Sequence, residues 1–346
     1  MRVNAYAAPA EGLPLGPTTV ERRPVGPEDV LIAVEYAGIC HSDIHTVRGE
    51  WGPKPYPLVP GHEIVGTVVE VGPRVTAHRA GDRVGVGCMV GSCGRCAPCA
   101  GGDQQYCVDG PVFTYGSADR DGRATQGGYA THLVVDAGFV LSVPAALDPA
   151  AAAPLLCAGI TTYAPLRRWG AGPGRRVAVV GLGGLGHLAV KLAHALGAEV
   201  TVLSRSPKKQ EDARRLGADH WFDGSDPAAF AELAGRFDLI VNTVSADLDT
   251  NALLGLLTLD GVLANVGAAP GPMQVDGHRL GSARRVLTGS MIGGIPQTQE
   301  MLDFCAAHGI AADVELIPAE HINAAYERVL ASDVHYRFVI DAATFA

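Results

Sequence analysis

A strand–helix–strand pattern in the middle of the chain constrains the fold more than any other feature. RVAVVG (residues 176–181) is a short apolar strand, and LGHLAVKLAHALGA (residues 185–198) has apolar residues at helical spacing. EVTVLS (residues 199–204) is a second strand, and FDLIVNTV (residues 237–244) and GVLANVG (residues 261–267) predict further ones. Strands that alternate with helices at this spacing predict an α/β fold with a parallel sheet and crossover helices.

The loop between the first strand and its helix is GLGGLG (residues 181–186), which fits the G-x-G-x-x-G pattern. Gly181 permits a tight turn, Gly183 lets the backbone approach a pyrophosphate, and Gly186 permits close helix–strand packing. The helix N terminus offers free N–H groups and a partial positive charge. We therefore predict that this loop, including Gly184, binds a dinucleotide.

The end of the second strand predicts which dinucleotide is bound. An NAD-binding chain usually has an acidic residue there, which hydrogen-bonds to the ribose 2′-hydroxyl. Here hydroxyls and cations take its place, at Ser204, Arg205, Ser206 and Lys209. Arg205 and Lys209 suit a 2′-phosphate, which favours NADP(H). The alternative is an ordinary solvated basic turn.

Four cysteines lie close together in GSCGRCAPCAGGDQQYC, at Cys93, Cys96, Cys99 and Cys107. Their spacing, C-x2-C-x2-C-x7-C, allows four thiolates to surround one tetrahedral Zn²⁺ at about 2.3 Å. Without a fifth group nearby, such a site is closed and structural. The alternatives are disulfides, buried free thiols, or an iron–sulfur cluster, whose usual spacings differ in the last gap.

The first 150 or so residues predict an irregular, mostly β domain, with strands at residues 30–36 and 64–71. Two histidine-bearing segments, GICHSDIHTVRGEWG and PGHEIVG, lie beside these strands in turns, where site residues concentrate. Local spacing does not join Cys40 to His62, and each could be an ordinary packed or solvated residue. Taken by itself, Cys157 in PLLCAGITTY is most simply a buried thiol.

Length and charge narrow the possible functions. The 346 residues predict two domains. The net charge of −9 disfavours nucleic acid as a partner. No secretory signal is evident, and the apolar stretch at residues 150–165 is too short and too proline-rich to cross a bilayer. We therefore expect a cytoplasmic protein without a membrane partner, in which clustered cysteines bind metal more readily than they form disulfides.

Several motifs together resemble a known family. GHEIVGTVVEVG resembles the zinc alcohol dehydrogenase motif G-H-E-x2-G-x5-G. With GICHSDIH and the four cysteines, the chain resembles the medium-chain dehydrogenase/reductase superfamily. GEWGPKPYPLVPGHE, TQGGYA and DVHYRFVID resemble its cinnamyl alcohol dehydrogenase branch, which includes bacterial aldehyde reductases. The resemblance covers nearly the whole chain, with the motifs in the family's order.

The resemblance implies a fold and an assembly. Residues 1–154 and 293–346 would form a GroES-like, mostly β catalytic domain. Residues 155–292 would form a Rossmann domain, a doubly wound parallel sheet that binds NADP(H). Members of this branch commonly form homodimers through their nucleotide-binding domains, so a homodimer is expected.

The resemblance also implies a catalytic zinc in addition to the structural one. Cys40, His62 and Cys157 would hold it, and the fourth position would stay open for the substrate oxygen. Glu63 matches a residue near the metal that exchanges with water. Asp43 matches a carboxylate that orients the ligand histidine.

Further roles are carried over from the family in the same way. Ser42 would contact the substrate oxygen, and a ribose hydroxyl would pass the alcohol proton to His45 near the surface. Thr161 would contact the nicotinamide and Arg337 the pyrophosphate. The predicted substrate pocket comprises Trp51, Met89 and Phe113.

The implied activity is hydride transfer between NADP(H) and primary alcohols or aldehydes, either aromatic or medium aliphatic. Plant lignin enzymes have Trp at the position of Phe113, so a preference for cinnamyl substrates does not follow. The alternatives are the zinc-free reductase branch, a specialised biosynthetic reductase, and a non-catalytic dinucleotide-binding redox sensor. Cys88 and Cys305 are expected to be structural thiols.

Overall fold

The computed structural model describes residues 1–269 and 271–345. The chain divides into two compact units. The first unit comprises Met1–Cys157 and Gly293–Ala346, and the second comprises Ala158–Ile292. Within the described part of the chain, no helix has the length and apolar character needed to cross a membrane.

The first unit is mainly β, and its N-terminal part contains these strands and helices: β1 (Arg2–Ala7), β2 (Gly16–Glu21), β3 (Asp29–Gly38), α1 (His41–Val47), β4 (Ile64–Val71), β5 (Arg83–Val86), β6 (Met89–Gly91), α2 (Ala97–Ala100), β7 (Val112–Phe113), β8 (His132–Asp136), β9 (Leu141–Ser142) and α3 (Pro149–Ala152).

The second unit alternates helices and strands: α4 (Ala158–Arg168), β10 (Arg176–Val180), α5 (Gly186–Ala195), β11 (Glu199–Ser204), α6 (Gln210–Arg215), β12 (His220–Asp223), α7 (Pro227–Glu232), β13 (Phe237–Asn242), α8 (Thr250–Gly255), β14 (Leu257–Asn265), α9 (Gly277–Gly281) and β15 (Val286–Gly289). The chain then returns to the first unit with α10 (Ile295–His308), β16 (Val314–Ile317), α11 (Ile322–Leu330) and β17 (Arg337–Asp341).

A seven-stranded sheet organises the first unit, in the order β16-β17-β3-β4-β5-β9 with β8 also paired to β3. The C-terminal strand β17 pairs antiparallel with β3, which ties the tail of the chain to this unit. β3 and β4 are antiparallel neighbours, and Ala37 pairs with Ile64. The end of β3 and the start of β4 therefore lie side by side at one edge.

The second unit is built on a six-stranded sheet, in the order β12-β11-β10-β13-β14-β15, and every neighbouring pair is parallel. This is the 3-2-1-4-5-6 order of a Rossmann fold. Apolar strands such as β10 are buried because helices cover both faces of such a sheet. The parallel sheet predicted from the sequence is confirmed.

Several predicted elements differ in length from the observed ones, and two of these differences have a clear cause. The helix expected over residues 185–198 is α5, and it ends earlier because Gly197 has a φ of 89°, the left-handed conformation in which helices commonly stop. The strand expected over residues 261–267 is β14, which begins at Leu257 because Leu257 already pairs with Phe237 of β13.

Candidate active site and metal centres

Two thiols, an imidazole and a carboxylate meet at the edge of the seven-stranded sheet. Cys40 follows β3, and His62 and Glu63 precede β4, so the antiparallel pairing of these strands brings them together. Cys157 follows a turn at residues 153–156 that packs against both strands. Their ligand atoms all lie within 4.8 Å of one another, and all four residues are buried. We call Cys40, His62, Glu63 and Cys157 the mixed cluster.

Asp43 connects the two halves of the mixed cluster. Its Oδ2 accepts a hydrogen bond from the Cys40 backbone N–H (2.9 Å), which caps the start of α1. Its Oδ1 accepts from the Gly61 backbone N–H (3.1 Å) and lies 3.0 Å from His62 Nδ1. Burial opposes protonation of His62, but the Asp43 carboxylate raises the His62 pKa well above its ordinary value. Because Nδ1 faces the Asp43 carboxylate, the other ring nitrogen, Nε2, is the one available to a metal.

Glu63 has a different environment at each carboxylate oxygen. Its Oε1 accepts a hydrogen bond from Arg337 Nη2 (2.5 Å), which also donates to the Ile39 carbonyl (2.7 Å). Its Oε2 is buried and has no hydrogen-bond partner among the described residues. Burial raises the pKa of Glu63 to about 7, although Arg337 opposes the rise. A buried oxygen without a donor, in a cluster of metal-binding groups, fits a cation.

The two thiols of the mixed cluster are unequal. The hydrogen bond between them lowers the pKa of Cys40 well below its ordinary value, and it raises the pKa of Cys157. The thiolate is the form that binds metal. Two sulfurs, one imidazole nitrogen and one carboxylate oxygen are the donors that zinc takes in proteins, so this site fits zinc.

The four cysteines of the second predicted metal site also lie close together in the structure. The sulfurs of Cys93, Cys96, Cys99 and Cys107 lie within 4.8 Å of one another, and we call these residues the cysteine quartet. Backbone N–H groups point at the sulfurs: Cys93 N lies 3.2 Å from Cys107 Sγ, and Cys96 N lies 3.3 Å from Cys93 Sγ. All eight cysteines are free thiols, so the disulfide alternative is wrong.

The two remaining cysteines differ in their surroundings. Cys88 lies beside the mixed cluster, where it raises the pKa of Cys157 and its Sγ lies 3.9 Å from the Leu156 carbonyl oxygen. Cys305 is buried in α10, and its sulfur lies 3.6 Å from that of Met301. Nothing in the sequence indicates that Cys88, and not Cys305, lies beside the mixed cluster.

The predicted relay residues lie on α1, and their spacing of three residues makes them neighbours on the helix surface. Ser42 Oγ lies 3.6 Å from Cys40 Sγ, so it borders the mixed cluster. His45 is partly exposed, and its Nδ1 is paired with the Glu50 carboxylate. The His45 ring stacks on that of Trp51, with 5.1 Å between centroids. Glu50 was not predicted from the sequence, because a pairing over five residues outside a regular helix has no periodic signal.

The three predicted pocket residues are placed differently. Met89 is buried, and it pairs across β6 and β7 with Phe113, which is 39% exposed. Trp51 is 49% exposed and contacts His45. Met89 and Phe113 are therefore neighbours, whereas Trp51 lies at the end of α1.

In the second unit, the glycine loop lies between β10 and α5. Gly181 has a φ of 89°, which favours glycine. A Cβ on Gly186 would lie 2.1 Å from the Gly181 carbonyl oxygen, whereas a Cβ on Gly183 would meet nothing within 4 Å. Gly186 is therefore required by packing, while Gly183 leaves open space above the loop.

The basic segment lies beside this loop because β10 and β11 are parallel neighbours whose carboxyl ends share one edge. Ser204 is buried at the end of β11, Ser206 is partly exposed, and Arg205 is exposed. Lys209 Nζ donates to the Leu182 carbonyl (2.6 Å). Thr161 is buried in α4. The structure thus brings Lys209 to the loop and leaves the Arg205 side chain in solvent.

Sequence reasoning missed a group of buried tyrosines around Asp43. Tyr129 Oη lies 3.3 Å from Asp43 Oδ2, and the Tyr115 ring centroid lies 5.7 Å from that of His62. Tyr326 is also buried in this core. Tyr129 lies in the TQGGYA motif, but no local pattern indicates which group its hydroxyl contacts.

Comparison with known proteins places the chain in a family. Residues 26–145 match the alcohol dehydrogenase GroES-like domain, and residues 184–307 match the zinc-binding dehydrogenase domain. The chain belongs to the family of zinc-binding alcohol dehydrogenases with a GroES-like domain. The resemblance to the medium-chain family and the predicted fold class, GroES-like plus Rossmann, are thereby confirmed.

Individual relatives cover almost the whole chain. An NADP-dependent alcohol dehydrogenase C of Mycolicibacterium smegmatis is 61% identical over 99% of this chain and 98% of its own. A cinnamyl alcohol dehydrogenase structure from Sorghum bicolor has 43% identity and a TM-score of 0.96, covering 99% of this chain and 98% of that one. The cinnamyl alcohol dehydrogenase of Helicobacter pylori in complex with NADP(H) has 40% identity and a TM-score of 0.93, covering 99% of both chains.

Proposed function

We propose that this protein is an NADP(H)-dependent zinc alcohol dehydrogenase that interconverts primary alcohols and aldehydes, aromatic or medium aliphatic. The mixed cluster carries this proposal, because Glu63 Oε2 is buried beside two thiols and an imidazole and none of the described residues donates a hydrogen bond to it. The zinc-free reductase branch would not need such a cluster. The relatives' activities agree with the proposal.

Two groups would supply chemistry that side chains lack. When bound, zinc at the mixed cluster would supply a Lewis acid for the substrate oxygen, and NADP(H) would supply the hydride. Cys40, His62 and Cys157 would hold the metal, and Asp43 orients His62 through the 3.0 Å contact at Nδ1. Glu63 lies close enough to act as an alternative ligand.

Ser42 and His45 would both take part in moving the alcohol proton. Ser42 borders the mixed cluster and would contact the substrate hydroxyl, whose proton it would take up. His45 lies one turn further along α1 and is partly exposed, so it can release the proton to water. The pairing of His45 Nδ1 with Glu50 leaves Nε2 available for this step.

NADP(H) would bind to the second unit. The glycine loop and the N terminus of α5 suit a pyrophosphate. Arg205 is exposed and cationic at the end of β11, where an NAD-binding chain would have an acid, and Lys209 lies against the loop. Thr161 and Arg337 remain proposed contacts to the nicotinamide and the pyrophosphate.

The cysteine quartet would hold the second, structural zinc, because it offers four sulfurs and closes the coordination sphere. We assign residues 1–154 and 293–346 to the catalytic domain and residues 155–292 to the NADP-binding domain. Trp51, Met89 and Phe113 remain the proposed substrate pocket.

Assembly and location belong to the same proposal. β15 is at the end of the six-stranded sheet, and no other strand of the described residues pairs with its outer side, which suits pairing with another copy of this chain. We propose a homodimer formed through this edge. The eight free thiols are compatible with the reducing cytoplasm, which we propose as the location.

The test is NADPH oxidation by the zinc-loaded protein with cinnamaldehyde, beside an identical assay with NADH. We expect fast NADPH loss, slow NADH loss and two zinc ions per chain. Equal or faster use of NADH would contradict the NADP(H) assignment. No turnover with either cofactor would favour a narrow biosynthetic reductase if another aldehyde is reduced, and the redox-sensor alternative if none is.

A further inference from the structure

A buried tyrosine hydroxyl contacts the carboxylate that orients His62. Tyr129 is 0% exposed, and its Oη lies 3.3 Å from Asp43 Oδ2 and 3.4 Å from the Gly38 carbonyl oxygen. The carboxylate is the stronger of these two acceptors. We propose that Tyr129 is a positioning residue for the metal ligand His62, acting through Asp43. This inference rests on the proposed function, because it assumes zinc at the mixed cluster.

Donors reach both carboxylate oxygens of Asp43. Oδ1 accepts from the Gly61 N–H and from His62 Nδ1. Oδ2 accepts from the Cys40 N–H and from the Tyr129 hydroxyl. Asp43 is itself fully buried. A carboxylate held at both oxygens cannot rotate, so the direction of the His62 ring is fixed as well.

The Tyr129 ring has a separate role from its hydroxyl. Its backbone N–H donates to the Pro60 carbonyl (3.0 Å), two residues before His62. The ring packs against Gly61, where an added Cβ would lie 2.5 Å from a ring carbon. Tyr129→Phe keeps these contacts and removes only the hydroxyl, so the fold is expected to survive.

Tyr326 provides a matched control in the same part of the core. It is 6% exposed, and its hydroxyl interacts with that of Tyr129 but makes no hydrogen bond of ordinary length within the described residues. Tyr326→Phe therefore removes a buried hydroxyl beside Tyr129 without removing a donor from Asp43. The two variants lose the same atom, and only one of them loses a contact to the carboxylate.

The experiment measures transfer of zinc from the purified holoprotein to the chromogenic chelator 4-(2-pyridylazo)resorcinol. Mutation of groups that orient metal ligands typically costs about 10–100-fold in metal affinity, and Tyr129 is one contact further from the metal. We expect Tyr129→Phe to release one of two zinc ions about tenfold faster, with an unchanged Tm. Tyr326→Phe should match the wild type. Tyr129→4-aminophenylalanine, which restores a donor, should return release to near the wild-type rate.

The outcomes separate this inference from the proposed function. Two zinc ions in the wild type, with wild-type release from Tyr129→Phe, would overturn the inference alone. Equal acceleration in Tyr129→Phe and Tyr326→Phe would also overturn it, because loss of any buried hydroxyl would then suffice. A wild-type protein that holds zinc in the cysteine quartet alone would overturn the proposed function and this inference together.

Discussion

At the scale of single residues, His45 shows how a local contact sets a chemical role. Its Nδ1 is paired with Glu50 and its ring is stacked on Trp51, so Nε2 is the nitrogen left to exchange a proton. Neither contact is part of the CHSDIH motif, although both partners follow it closely in the chain. The motif supplies the histidine, and its neighbours determine which nitrogen is available.

We expect His45→Ala to lower kcat by about 10²-fold, the lower end of what proton transfer contributes, while the KM for NADPH stays unchanged. Added imidazole should partly restore the rate, because it supplies a base at the same place. The measurement is steady-state kinetics with and without imidazole. His321→Ala, which removes an exposed histidine beside Glu320, is the control. A wild-type rate in His45→Ala would exclude the relay.

Cofactor preference can also be tested at a single residue. Arg205→Ala should raise the KM for NADPH about tenfold or more and leave that for NADH unchanged, because a hydrogen bond to a charged group contributes about 1.5–3 kcal/mol. Lys208→Ala, at an exposed neighbouring cation, is the matched control. If Arg205→Ala raised the KM for NADH as much as the KM for NADPH, Arg205 would not recognise the 2′-phosphate.

At the scale of elements, the glycine loop contains one glycine that close packing requires and another that has open space beside it. Gly186 is where α5 approaches the end of β10, and an added Cβ there would lie 2.1 Å from the Gly181 carbonyl oxygen. A Cβ on Gly183 would meet no atom within 4 Å. The sequence fingerprint predicts close packing at Gly186 and approach of a ligand at Gly183, and the structure has a close contact at the first and open space at the second.

Gly183→Ala should therefore keep the wild-type Tm and raise the KM for NADPH at least about tenfold, because the added methyl occupies the space expected for the pyrophosphate. Gly186→Ala should lower the Tm, because two backbone segments must move apart. Thermal unfolding and NADPH titration of both variants check this. A Gly183→Ala protein with wild-type affinity for NADPH would contradict the placement of the pyrophosphate.

At the scale of the whole molecule, the two metal clusters are expected to make different contributions. The cysteine quartet joins α2 to the following loop at Cys107, whereas the mixed cluster joins the ends of separate elements of a sheet. Loss of metal from the quartet should affect stability, and loss from the mixed cluster should affect activity.

Cys107→Ser should lower the zinc content from two ions to one and reduce the Tm by roughly 5–10 °C, on the scale of a few kcal/mol for a protein of this size. Metal analysis and thermal unfolding measure both effects. Cys305→Ala, which removes a buried thiol outside both clusters, should keep both zinc ions. Retention of both by Cys107→Ser would mean that this cysteine is not a ligand.

The sequence alone was sufficient wherever the chemistry is local. The strand–loop–helix unit at residues 176–198 and the cysteine quartet each lie within one short segment, so spacing alone predicts them. The mixed cluster is different, since Cys40 and Cys157 are separated by more than a hundred residues. Only the resemblance to a family connected them before the sheet was known.

The sequence by itself determined the parallel α/β unit, its glycine loop, the absence of an acid after β11 and the four clustered cysteines. Tertiary structure decided the rest: the pairing of β3 with β4 that joins Cys40 to His62, the contact between Arg337 and Glu63, and the position of Tyr129 at Asp43. The physical reason is the separation along the chain of the residues that make each contact. Backbone conformation and short metal-binding spacings are set by neighbouring residues, whereas these contacts depend on strands and helices that are distant along the chain.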